Sequence, residues 1–232
     1  MRKALLPLLA AAFAFATPAK ADQVSLLGFT GFDYVVQNHA GPPSGTWINQ
    51  FDNYYVVGFV TSFGPNLSGS VNTSANEYTF RISNAVAALV AYDGFSLEVL
   101  FSNNARIRVF EDSKTTGTNA VYGANPPNAT SPADFIDGTK ILGADIDILV
   151  LTYDYTASQG NLISDNVTLD EGTMLGLIPA PQRAGWSLSG LAGLPNVTVP
   201  PGYINQVSGE MFIPGPTPTN HRSWGAIKAL YR

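Results

Sequence analysis

Glu77-Tyr78-Thr79-Phe80-Arg81-Ile82-Ser83 alternates polar and apolar side chains without a break. Successive side chains of a strand point to opposite faces, so Tyr78, Phe80 and Ile82 are directed at a core while Glu77, Thr79 and Arg81 face water. Working outward, the stretches 24–30, 54–62, 95–101 and 105–111 have the same character. They are short, rich in β-branched and aromatic residues, and bounded by Gly, Asn, Asp or Pro. The apolar run 85–91 fits a buried strand or a short helix, and Asp93-Gly94 behind it, a hairpin-type turn, favours the strand. Residues 139–155 form one long apolar run, read as a bent strand pair or a strand bulged at Gly143. Stretches 161–169 and 172–178 flank Asp170-Glu171-Gly172 as two further strands, and 179–185 holds a single helical turn. Stretches 186–191 and 203–213 close the body. With frequent turns, no internal repeat and no long helical period, the pattern predicts an all-β fold. It is a sandwich or barrel-like arrangement of about ten antiparallel strands.

Composition narrows the function. The chain has 232 residues, 45% of them hydrophobic and only 12% charged, which suffices for a buried core. It has no cysteine, so disulfides, zinc fingers, iron–sulfur sites, thiol catalysis and Cys-linked haem are all excluded. The first residues follow an export template: Arg2 and Lys3, an apolar run over 4–16, then small residues ending at Ala21. That run is too short to span a bilayer, and no second apolar segment of roughly 20 residues follows. The expected organisation is a signal peptide over 1–21, a β-rich body over 22–213, a Pro-rich linker over 214–219 and a basic aromatic tail over 220–232. Pro126, Pro127 and Pro132 make 121–133 a surface loop or a seam between halves. Such a chain would be periplasmic, cell-surface or extracellular.

The formal charge is −5. Removing Arg2, Lys3 and Lys20 leaves −5 − 3 = −8, and setting aside Arg222, Lys228 and Arg232 leaves −8 − 3 = −11 for the body. So acidic a protein is not built to bind nucleic acid through phosphate attraction. In the tail, Trp224, Ile227, Leu230 and Tyr231 recur at helical spacing, so a short helix gathers them on one face. Trp224, Ile227, Lys228, Tyr231 and Arg232 are therefore candidates for a sorting or docking element. The ending Ser223-Trp224-Gly225-x-Ile227-Lys228-x-Leu230-Tyr231-Arg232, behind its Pro/Thr linker, resembles the C-termini of assorted uncharacterised proteins exported by Gram-negative-type bacteria. The loop 125–130 and Phe135-Ile136-Asp137-Gly138-Thr139 resemble segments of the same proteins. The resemblance implies bacterial export and carries no activity.

Asp145-Ile146-Asp147 is the sharpest acidic pair. On a strand its carboxylates share one face about 7 Å apart. That suits either a glycosidase acid/base pair or two Ca²⁺ ligands completed by Asp134, Asp137 or Asp154. The competing reading is an outward, solvated face opposite Ile146. No EF-hand spacing, H-E-x-x-H or G-x-S-x-G is present, and no cofactor is implied. Asp170-Glu171 and Glu111-Asp112 read as solvated turns. His39 and His221 are the two histidines, one in a Gly/Pro loop and one in the tail. Trp47, Tyr153 and Tyr155, with Tyr92 and other aromatics beside Asn, Asp and Gln, offer either sugar-stacking rings or core packing. Trp47, Tyr153, Tyr155, Asp145 and Asp147 are thus the candidate ligand-binding set. The expected function is an exported, non-catalytic β-domain contacting a glycan or a cell-surface component. Two alternatives remain: a polysaccharide hydrolase using Asp145, Asp147 or Glu171, and an outer-membrane β-barrel.

Overall fold

The computed structural model describes residues 24–38, 45–102, 104–122, 133–193 and 197–213. The expected export signal, linker and tail lie outside these, as do His39, His221 and most of the 121–133 segment. Ten strands run in chain order: β1 (Val24–Val36), β2 (Asn53–Phe63), β3 (Asn76–Tyr92), β4 (Ser96–Phe101), β5 (Ala105–Ser113), β6 (Thr139–Ile146), β7 (Val150–Asp154), β8 (Gln159–Glu171), β9 (Trp186–Ala192) and β10 (Gln206–Ile213).

All pairings are antiparallel, and they close. β1 pairs with both β2 and β10, β2 with β3, and β8 with β9, which returns to β10. The long strands β3 and β8 each span two shorter partners. β3 pairs with β5 over Asn76–Ser83 and with β4 over Ala87–Tyr92. β8 pairs with β7 through its first residues and with β6 through its last. β4 and β5 are therefore one stave of the barrel interrupted at 102–104, and β6 and β7 another interrupted at 147–149. The two broken staves lie side by side, β4 on β7 and β5 on β6. Counted this way, the described body is an eight-stave, up-and-down closed barrel in which each stave neighbours the next in sequence. Closure leaves no free sheet edge.

Period-two burial fills the interior. Phe29, Tyr54, Val56, Phe80, Ile82, Val99, Ile107, Ile146, Leu151, Leu162 and Leu188 point inward and are essentially inaccessible. Tyr78, Phe80 and Ile82 are buried as their alternation predicts. Eight staves enclose just enough space for such side chains. One end is stoppered by Leu67 of a one-turn helix (Pro65–Ser68) and by Ile178, and Ile48 lies buried in the 45–52 loop between β1 and β2. β1 and β2 are apolar on both faces because a second layer covers them outside. There Phe32, Tyr34 and Val57 pack beneath Ala120, Phe135 and Tyr203. The hydroxyl of Thr79 donates to the Phe135 carbonyl at 2.9 Å and ties that layer to the barrel.

Four expectations resolve. Residues 84–92 are strand, continuous with 76–83, and Gly94 turns the β3–β4 hairpin at φ +98°. The apolar run 139–155 is a strand pair in line, broken at 147–149. The expected strand over 172–178 is instead a 3₁₀ turn at Leu175–Leu177. Gly172 turns the chain out of the ladder at φ +109°, and a Cβ there would stand 2.3 Å from the Ile141 carbonyl oxygen, so only glycine fits. The helical turn expected within 179–185 is present at Ala180–Gln182.

Gly31 and Gly58 face each other across β1 and β2 inside the barrel. A Cβ on Gly58 would stand 2.1 Å from the Thr30 carbonyl oxygen, and one on Gly31 would stand 2.2 Å from that of Val57. Both obstacles are backbone and cannot swing aside. Gly58→Ala is therefore expected to destabilise the fold by roughly 2–4 kcal/mol in urea unfolding. Gly69→Ala, where nothing lies within 4 Å, should shift stability by less than about 0.5 kcal/mol. Equal effects at the two sites would contradict this packing.

Candidate functional site

The two stave interruptions occur at the same height and open a cleft in the barrel wall. Where the ladder stops, the chain still needs hydrogen bonds, and polar residues gather. The Ser102 amide donates to the Val86 carbonyl at 2.8 Å, and the Asp147 amide to the Asn166 carbonyl at 3.0 Å. On the β3 side, Asn84 sits at φ +59°, a left-handed conformation that asparagine tolerates better than a β-branched residue. It marks the point where β3 exchanges β5 for β4. On the β8 side, Asn166 lies in a bulge between Ser164 and Val167. The resulting cleft measures about 650 Å³ and is lined by Asn84, Asn104, Arg106, Asp145, Asp147, Asn166 and Thr168, all polar.

Within it the groups are paired. The Asn166 side-chain amide donates to Asp147 at 2.8 Å. Arg106 donates one nitrogen to Asp145 and the other to Asp170 at 2.6 and 2.9 Å. Glu171 accepts from Arg108 at 2.8 Å and from Lys140, and lies 3.1 Å from Arg106. These residues come from β5, β6 and β8, whose outward positions fall together because the strands are in register. Asp170 and Glu171 are thus not a solvated turn. They end β8 inside a network of three cations and three carboxylates. The bond from Lys140, seconded by those from Arg108 and Arg106, outweighs the desolvation and holds the Glu171 carboxyl at about 2. Glu111 is likewise engaged, accepting from the Tyr78 hydroxyl and the Asn76 amide at 2.6 Å each.

The aromatic candidates lie elsewhere, at the barrel mouth where β7 ends. Trp47 meets Tyr153 edge-on with centroids 6.2 Å apart, Tyr153 meets Tyr155 at 5.3 Å, and Tyr155 meets Tyr92 at 5.5 Å. Trp47, Tyr153 and Tyr155 are half-buried against the main core. Each ring meets its neighbour edge-on, and Tyr92 and Tyr153 also line a hollow at the mouth. Beneath them Tyr54 donates its hydroxyl at 3.0 Å to Asp33, which is wholly buried. Asn205 completes the pair, giving Asp33 its backbone amide at 2.6 Å and its side-chain amide at 3.1 Å. This pins the 197–205 segment to the mouth. Burial, only partly offset by these donors, raises the Asp33 carboxyl to about 6.

The structure therefore divides the candidate set. Asp145 and Asp147 share the cleft; Trp47, Tyr153 and Tyr155 share the mouth. Asp154 is at the mouth too, capping the Thr156 and Ala157 amides at 2.7 and 3.0 Å. Asp134 and Asp137 do not join Asp145, and among the described residues no group of three or more His, Asp or Glu side chains is placed to hold a metal. Sequence reasoning missed Asn84, Asn104, Arg106 and Asn166. Their signal was faint: Asn84 and Asn166 sit inside strands β3 and β8, Asn104 in the short break before β5, and Arg106 on the outward face of β5. No family model, curated protein or solved structure matches this chain.

Two carboxyls titrate in separate windows with opposite signs. Asp33 is raised, so its contribution is full below about 3.8 and is lost as pH rises through about 6. Glu171 is lowered, so its contribution is present above about 4.5 and is lost as pH falls through about 2. Urea midpoints across pH 2–7 should show Asp33→Asn flattening only the upper window and Glu171→Gln only the lower. A pH profile unchanged by either substitution would refute the assignment.

Proposed function

We propose that this protein is an exported, non-catalytic β-barrel that contacts extracellular carbohydrate through the lateral cleft. The carrying observation is the lining: amide, hydroxyl, carboxylate and guanidinium groups only, already held by mutual bonds such as Asn166–Asp147. Planar polar side chains fixed in this way match the vicinal hydroxyls of a sugar without reorganising. Export is supported by the signal-like residues 1–21.

The hydrolase reading draws less support. Glycoside cleavage needs one carboxyl that is protonated near neutrality. Glu171 is held at about 2 by three cations, and Asp145 is paired with Arg106. The outer-membrane reading needs an apolar outer band on every stave. Here the interior is apolar, while the outer faces of β5, β6 and β8 carry the ion-pair network. No helix among the described residues is long and apolar enough to cross a membrane.

The test is a polysaccharide-binding screen with the purified protein, followed by Asp147→Ala and Asn166→Ala. At least tenfold weaker binding of the responding glycan is expected from each, with the fold intact by circular dichroism. Binding that survives both changes would end the proposal. So would release of reducing sugar that Asp145→Asn abolishes.

A further inference from the structure

The mouth half of the broken-stave wall presents its outward side chains in cross-strand rows. One row runs Leu89, Leu100, Val150, Ile163 across β3, β4, β7 and β8, each residue paired with the next. Leu89 is 59% exposed, Ile163 41% and Leu100 38%, with Val150 half-buried between them. Two residues nearer the mouth, Glu98 lies beside Thr152 and Asn161, and Asp154 lies one row beyond. Glu98, Asp154 and Asp93 border a hollow of about 410 Å³ on this wall.

These carboxylates lack cations among the described residues. Arg106, Arg108 and Lys140 are held in the network at the cleft. Arg81 stacks 4.9 Å from the Tyr55 ring centre, Lys114 donates to the Thr73 carbonyl, and Arg183 donates to that of Ile178. An apolar row flanked on one side by uncompensated acids is a directional surface: it favours a ligand with an apolar stripe and positive charge beside it.

The dimensions specify the ligand further. A closed barrel has no edge to which a strand could be added, so a partner must lie on the face. Three strand spacings from Leu89 to Ile163 make a row about 14 Å long. At 1.5 Å per residue that is the length of roughly nine helical residues. We propose that this wall is a docking surface for a cationic amphipathic helix of a partner protein. The helix lies along the row, with its apolar positions over Leu100 and Ile163 and its lysines or arginines over Glu98 and Asp154. This goes beyond carbohydrate contact and uses different residues.

The probe is a labelled synthetic peptide of about four helical turns, with Leu at i, i+3, i+4 and i+7 and Lys elsewhere. A counterpart carrying Glu in place of Lys serves as control. Fluorescence anisotropy with the purified protein should show binding of the Lys peptide only. Leu100→Ser with Ile163→Ser, and separately Glu98→Gln with Asp154→Asn, should each weaken it at least tenfold. Glu210→Gln with Asp137→Asn, which removes two acids elsewhere on the body, should weaken it less than twofold. Equal weakening by that last pair would mean bulk charge attraction and would overturn the proposal. It would equally be overturned if the protein forms dimers that Leu100→Ser with Ile163→Ser dissolves, or binds phosphatidylcholine vesicles through the same row. Those results would assign the surface to a second copy or to lipid.

Discussion

Closure of the ladder is the constraint from which everything else in this protein follows. Because β1 is bonded on both sides, to β2 and to β10, the sheet has no edge and its inner face is wholly enclosed. Without cysteine the chain has no disulfide to hold it together. Inward side chains on eight staves supply the cohesion, and the stoppers Leu67, Ile178 and Ile48 keep water from the core. The demand is strict enough that two facing glycines are required where β1 and β2 touch.

Closure also dictates where polarity can accumulate. A barrel tolerates an interruption in a stave only if the stranded backbone groups find other partners. Here two adjacent staves break at one height, so the repair residues face each other across a gap. Asn84, Asn104, Asp147 and Asn166 are there first because the ladder is absent, and the cleft follows from that. A site built on such a break is held by the long unbroken strands β3 and β8 on either side. It therefore has the rigidity of the barrel with the chemistry of a loop.

Charge is distributed unevenly over the same frame. Three of the six cations of the body meet on the outer faces of β5 and β6, where they neutralise Asp145, Asp170 and Glu171. The remaining surplus of acid lies elsewhere, including the mouth wall with Glu98 and Asp154. Such segregation leaves one lateral wall internally balanced and its neighbour unbalanced. Two neighbouring surfaces of one barrel are thereby suited to different ligands.

Much of the architecture was legible in local pattern. Alternation in 77–83, β-branched runs and turn residues determined strand identity, strand number and the inward set Tyr78, Phe80 and Ile82, because side-chain direction along a strand depends only on neighbouring residues. The same locality explains the errors. Residues 172–178 look like a strand by composition, yet Gly172 turns at positive φ and the Met174 amide donates to the Ile141 carbonyl at 2.9 Å, a bond between residues far apart in the chain. Asp170 and Glu171 look like a solvated turn until Arg106, Arg108 and Lys140 are brought beside them by register. The sequence by itself determined an all-β chain with a self-sufficient core. Only the tertiary structure decided that the sheet closes, that Asp145 and Asp147 part company with Trp47, Tyr153 and Tyr155, and that a cleft exists. Register and closure are relations between distant segments, and no local period encodes them.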